Sequence, residues 1–87
     1  MVAQIRIDPT PNPESLKFTV SVTVSARPVT ISTAAAAVAD PLAKKLFEVS
    51  GVKSIFMISN FVTVTKNPDA SWDAIANQLG EIIANHF

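Results

Sequence analysis

The chain has 87 residues, seven basic and seven acidic, with 48% hydrophobic residues and no cysteine. That length fits one domain, residues 1–87, and leaves no room for a second. Charge balance without a basic block argues against nucleic acid, and the longest apolar run, Ala34–Ala39, is far short of the ~18 residues a membrane span needs. With no disulfide to form and no secretory pattern at the N-terminus, the cytoplasm is the expected compartment.

Residues Val2–Asp8 set Ile5 and Ile7 on one side and Gln4, Arg6 and Asp8 on the other, a period of two that predicts a strand. Asp8-Pro9-Thr10-Pro11-Asn12-Pro13 follows, and its alternate prolines remove amide donors and fix φ. A stiff, extended connector is expected there. Leu16, Phe18, Val20, Val22 and Val24 then alternate with Lys17, Thr19, Ser21, Thr23 and Ser25, the pattern of a strand covered on one side. Arg27-Pro28 interrupts it, and Val29-Thr30-Ile31 can add a short further strand.

Thr33 opens a helical region through Ala34–Ala37, which Asp40-Pro41 restarts by capping free amides and supplying proline at the first helical position. Leu42, Leu46 and Val49 share a face there, while Lys44, Lys45 and Glu48 point elsewhere. Gly51 is placed to end this helix in the left-handed conformation. Val52–Ile58 and Phe61–Lys66 read as two strands joined at Ser59-Asn60, with asparagine the residue that tolerates positive φ. A last helix runs from Ser71 with Trp72, Ile75, Ala76, Leu79 and Ile83 in one stripe. The order predicts an α+β fold in two layers, an antiparallel sheet of about four strands with two helices on one face.

Chemistry has few places to sit. The only imidazole, His86, suits a favourable charge at a helix C-terminus rather than a metal ligand. No serine lies in a nucleophile elbow, and the carboxylates are scattered, so catalysis is not expected. Phe56, Phe61 and Trp72 sit on the apolar patterns and read as core, with a ligand pocket as their second reading. Lys44 and Lys45 read as a solvated helix face, or as a docking patch for an acidic partner. The proline connector reads equally as a rigid turn or as a recognition element already stiffened for binding.

Thr10-Pro11-Asn12-Pro13, followed by Ser15-Leu16-Lys17-Phe18, resembles the opening of the N-terminal domain of Nfu-type iron–sulfur proteins. Asp40-Pro41-Leu42-Ala43, Gly51–Phe56, Phe61–Lys66 and Trp72 agree in the same order, so the resemblance spans nearly the whole chain. The chain departs from the family at Met57-Ile58-Ser59-Asn60, where a glycine and an aspartate are usual. In that family a second domain carries a Cys-x-x-Cys pair that holds a cluster, and the N-terminal domain contributes partner contacts. The resemblance therefore implies a free-standing version without cofactor, catalytic or metal residues.

The resulting expectation is a non-catalytic module that assists iron–sulfur cluster assembly or delivery by contacting cluster carriers or targets. Thr10, Pro11, Asn12, Pro13 and Lys17 form its candidate surface, with Lys44 and Lys45 as a second one. An adaptor with no iron–sulfur role, or a small-molecule binder using Phe56, Phe61 and Trp72, are the alternatives. Since the chain has no thiolate, anaerobic treatment with iron and sulfide should leave it colourless after desalting, as read by visible absorption.

Overall fold

The computed structural model describes residues 4–87, so the Val2–Ala3 start of the first predicted strand lies outside the described residues. In chain order the elements are β1 (Ile5–Pro9), β2 (Ser15–Val20), β3 (Ser25–Ile31), α1 (Ala34–Ala37), α2 (Pro41–Phe47), β4 (Val52–Ser59), β5 (Phe61–Lys66) and α3 (Trp72–His86). The fold class is α+β as expected, with a five-stranded antiparallel sheet in the order β1-β2-β5-β4-β3.

The fifth strand comes from a crossing the alternation does not reveal. Val20 N–H donates to Asn60 O at 2.7 Å, and Val24 N–H to Ser59 O at 2.6 Å. The run from Leu16 to Ser25 is therefore two strands, not one, because its middle passes over the tip of the β4–β5 hairpin. β2 pairs with β5 on one side of that hairpin, and β3 pairs with β4 on the other. Arg27-Pro28 lies inside β3 instead of interrupting it. On an edge strand a missing N–H leaves no ladder bond unmade, and a register shift between Ser25 and Val29 absorbs the irregularity. The hairpin turn also differs from expectation. Ile58 pairs with Phe61, and the positive φ of 53° falls on Ser59, not Asn60, as in turns that need it only at the first loop position.

Three helices cover one face of the sheet, one more than expected. Thr33 Oγ1 accepts Ala36 N–H at 3.1 Å and caps α1. Asp40 Oδ1 accepts from Leu42 N–H at 3.0 Å and Ala43 N–H at 3.1 Å, so the predicted restart begins a separate helix with Pro41 at its head. Leu42, Ala43 and Leu46 of α2 and Ile75, Leu79 and Ile83 of α3 are buried against Phe18, Ile55, Met57, Val62 and Val64 of the sheet. Trp72 packs against the margin of this core. Lys66 ends β5 on the buried side, its stem covered and its Nζ 3.5 Å from Asn67 O.

Gly51 has the expected positive φ, at +103°, but it does not end α2, whose C-cap is Glu48, three residues earlier. It turns the chain between Val49 and Val52, where Val52 N–H meets Val49 O at 3.4 Å, and so launches β4. A Cβ on Gly51 would lie 2.8 Å from the Cβ of Ala70, whereas one on Gly80 would meet only Ile7 Cδ1, at an ordinary 3.8 Å. These two sites give opposite expectations. Gly51→Ala should lower stability by about 1–2 kcal/mol through backbone strain and the clash. Gly80→Ala, inside α3, should raise it by roughly 0.5–1 kcal/mol. Urea denaturation midpoints of the two variants, moving in opposite directions, check both.

Candidate functional site

The connector between β1 and β2 is a closed hydrogen-bonded loop. Asn12 Oδ1 accepts Glu14 N–H at 2.9 Å, and Asn12 O accepts Ser15 N–H at 3.0 Å. Thr10 Oγ1 accepts Asn12 N–H at 3.1 Å and lies 2.8 Å from Asn12 O and 3.1 Å from Ser15 O, so its proton serves either carbonyl. From Pro11 to Ser15 every backbone N–H is thus bonded, and the prolines have none to satisfy. The rigidity comes from this accounting as much as from the proline rings.

A long-range clasp fixes the loop to the body of the protein. Trp72 Nε1 donates to Pro13 O at 3.2 Å, joining residues 59 apart in sequence at the start of α3. Pro11, Asn12 and Pro13 remain exposed, with Thr10 half-buried. Asn12 uses its side-chain oxygen within the turn, and its side-chain NH₂ has no protein acceptor among the described residues.

Lys17 lies on the open face of the sheet, opposite Asp8 on β1 and Thr63 on β5. It points outward as expected but is half-buried rather than exposed, because its Nζ sits 4.5 Å from the centroid of the Phe61 ring. Phe61 in turn makes a tilted pair with Phe56, ring centroids 6.2 Å apart. These two phenylalanines are therefore not core residues: the core set holds the alternate positions Ile55, Met57, Val62 and Val64. Trp72 packs with the helical layer, so the pocket imagined from Phe56, Phe61 and Trp72 is not assembled. Lys44 and Lys45 are exposed on α2, in the layer opposite Lys17, and do not join its surface.

Sequence reading missed an open cleft of ≈ 440 Å³ where Gly51, Asn67, Asp69, Ser71, Ala74 and Gln78 meet. These are turn and helix-start residues from two separated segments, with no spacing that announces their contact. Among the described residues no three His, Asp or Glu side chains converge to hold a metal ion. The sequence has no cysteine either, so among the described residues no set fits an iron–sulfur cluster. His86 stands in the last turn of α3 against the edge of the Phe87 ring, 4.9 Å between centroids.

The family description "Scaffold protein Nfu/NifU N terminal" matches residues 5–87. A protein of Drosophila willistoni named "NFU1 iron-sulfur cluster scaffold homolog, mitochondrial" is 42% identical over 95% of this chain and 29% of its own length. The human protein of the same name is 40% identical over 95% of this chain and 34% of its own. The chain thus spans about a third of the length of these curated relatives. Among solved structures, protein SAV1430 from Staphylococcus aureus superposes with a TM-score of 0.80 at 28% identity, covering 94% of this chain and 98% of that one. A NifU-like protein from Saccharomyces cerevisiae has a TM-score of 0.82 at 22% identity, over 97% and 77%, and shows the same fold. The expectation of a cytoplasmic protein is overturned, because the curated relatives are named mitochondrial. An N-terminus that lacks a secretory pattern says nothing about other compartments. Matched over residues 5–87, the chain belongs to the family of Nfu/NifU scaffold-protein N-terminal domains.

Proposed function

We propose that this domain is a non-catalytic protein-interaction module that assists iron–sulfur cluster assembly or delivery. Its relatives are named as cluster scaffolds, and the cluster enters this reading as cargo held by other residues, since this chain has no ligand set for it. The observation that carries the proposal is the Thr10–Pro13 loop, exposed from Pro11 to Pro13 yet with the amides of Asn12, Glu14 and Ser15 all hydrogen-bonded, and clasped by Trp72. A loop already ordered loses little conformational entropy when a partner closes over it. Asn12 offers a side-chain donor on the exposed loop, and Lys17 adds a cation on the adjoining strand β2. Lys44 and Lys45 on α2 form a separate, second surface for an acidic partner in the same proposal.

Two Asn12 variants separate architecture from contact. Asn12→Asp keeps the oxygen that accepts Glu14 N–H and removes the outward donor, while Asn12→Ala removes both. The alanine variant should lose about 1 kcal/mol of stability, and the aspartate variant should melt close to the parent. Both should weaken capture of cluster-carrier proteins from a native extract several-fold, with the captured proteins identified by mass spectrometry. Lys17→Ala should weaken capture as well, at a cost of roughly 0.5–1 kcal/mol for the lost contact with Phe61. Full capture by Asn12→Asp and Lys17→Ala would reduce the loop to a turn. Recovery of partners that carry no cluster would favour an adaptor outside iron–sulfur metabolism.

A further inference from the structure

The helices cover one face of the sheet, and along the β4–β5 hairpin the other face carries Phe56, Ile58 and Phe61. All three alternate with the buried residues Ile55, Met57 and Val62, and none of them packs against the core. Ile58 stands beside Phe61 across the hairpin, and the Phe56 and Phe61 rings are 6.2 Å apart, so the three form one apolar patch. Lys17 flanks the patch from β2, its Nζ 4.5 Å from the Phe61 centroid. Asp8 stands opposite Lys17 in register, yet it is held by Arg6, with Nε and Oδ2 3.1 Å apart. That is the one ion pair among the described residues, so the Lys17 ammonium has a ring beneath it and no carboxylate beside it.

We propose that this face docks an amphipathic helix of a partner protein, one that carries an aspartate or glutamate on the flank facing Lys17. Two constraints select that occupant. β4 and β5 each have a strand on both sides, so their backbone groups are taken and the face offers side chains alone. A segment laid over apolar side chains must then satisfy its own backbone, which a helix does and an extended peptide does not. Charge supplies the second constraint. An apolar cover strips water from the Lys17 ammonium, and a desolvated charge without a partner is strongly unfavourable. The cover must therefore bring a carboxylate to that position, and a basic flank is repelled from it. A helix running along the hairpin lays its i, i+3 and i+4 residues over Phe56, Ile58 and Phe61 and brings one flank over β2. This surface shares Lys17 with the Thr10–Pro13 loop but stands on the phenylalanine pair, so it does not need Asn12 to be a contact.

Amide-resolved NMR titration with synthetic alanine-based helical peptides tests the surface. Each peptide carries one leucine stripe, and its flank is glutamate, glutamine or lysine. The glutamate peptide should shift Lys17, Phe56, Ile58 and Phe61 and bind several-fold more tightly than the glutamine peptide, with the lysine peptide weakest. In Lys17→Gln the preference for glutamate should vanish, and Phe61→Thr should weaken every peptide several-fold. Melting curves of both variants establish that they are folded. Asn12→Asp should bind the glutamate peptide as the parent does, which separates this surface from the loop. A glutamate peptide with proline at its centre, which cannot stay helical, should not bind. Unmoved resonances with the intact glutamate peptide would overturn the proposal, as would a glutamate preference that survives in Lys17→Gln. Equal binding of the proline peptide would assign the face to an extended segment instead. Shifts of the same residues when the parent chain alone is concentrated would assign it to a second copy, and either result overturns the partner helix.

Discussion

The hairpin formed by β4 and β5 is the constraint on which the remaining structure depends. It stands at the centre of the sheet, hydrogen-bonded to β2 through β5 and to β3 through β4. β2 and β3 are consecutive in sequence yet never meet in the sheet, because the hairpin stands between them. The tip carbonyls of Ser59 and Asn60 receive Val24 and Val20 N–H and hold the chain where it crosses. The same two strands supply Ile55, Met57, Val62 and Val64, all nearly inaccessible to solvent, to the centre of the core. The β2–β5 pairing joins segments about 45 residues apart, from Ser15–Thr19 to Phe61–Thr65, a non-local contact that must offset the entropy of closing the loop between them.

Alternation along the hairpin also decides what the open face presents. Each buried aliphatic residue sends its neighbour outward, and those neighbours include Phe56, Phe61 and Thr63. Lys17 lies across Phe61 from the next strand, and this explains how a charged side chain is half-covered on a face that no helix shields. The aliphatic stem gains apolar contact and the ammonium gains the ring's negative face. Helices and open face thus come from one periodic pattern read in two directions.

The β1–β2 loop illustrates a different use of local chemistry. Its turn geometry belongs to Thr10, Asn12, Glu14 and Ser15, whose hydrogen bonds close within six residues. Its placement belongs to Trp72, which reaches it from the other end of the chain. An exposed loop is usually mobile because its backbone has only water for company. Here internal partners satisfy the amides of Asn12, Glu14 and Ser15, and a single indole donor ties the loop to α3.

Local sequence determined what local physics controls. Period-two alternation at Leu16–Val20 and Phe61–Lys66, the Asp40-Pro41 cap and the Ile75, Leu79, Ile83 stripe all formed as their residues dictate, since each depends on neighbours a few positions away. The Thr10–Pro13 motif, with its collinear companions, likewise carried the family. Tertiary structure decided the rest. Val22 and Val24 continue the pattern of β2, yet they leave it because the hairpin tip takes their place. Phe56 and Phe61 look like core residues by composition, but strand register put them on the other face. The Trp72–Pro13 bond and the cleft beside Gly51 join segments with no shared spacing. A one-dimensional pattern records which side of its own strand a residue takes, whereas only pairing between distant strands sets what lies on that side.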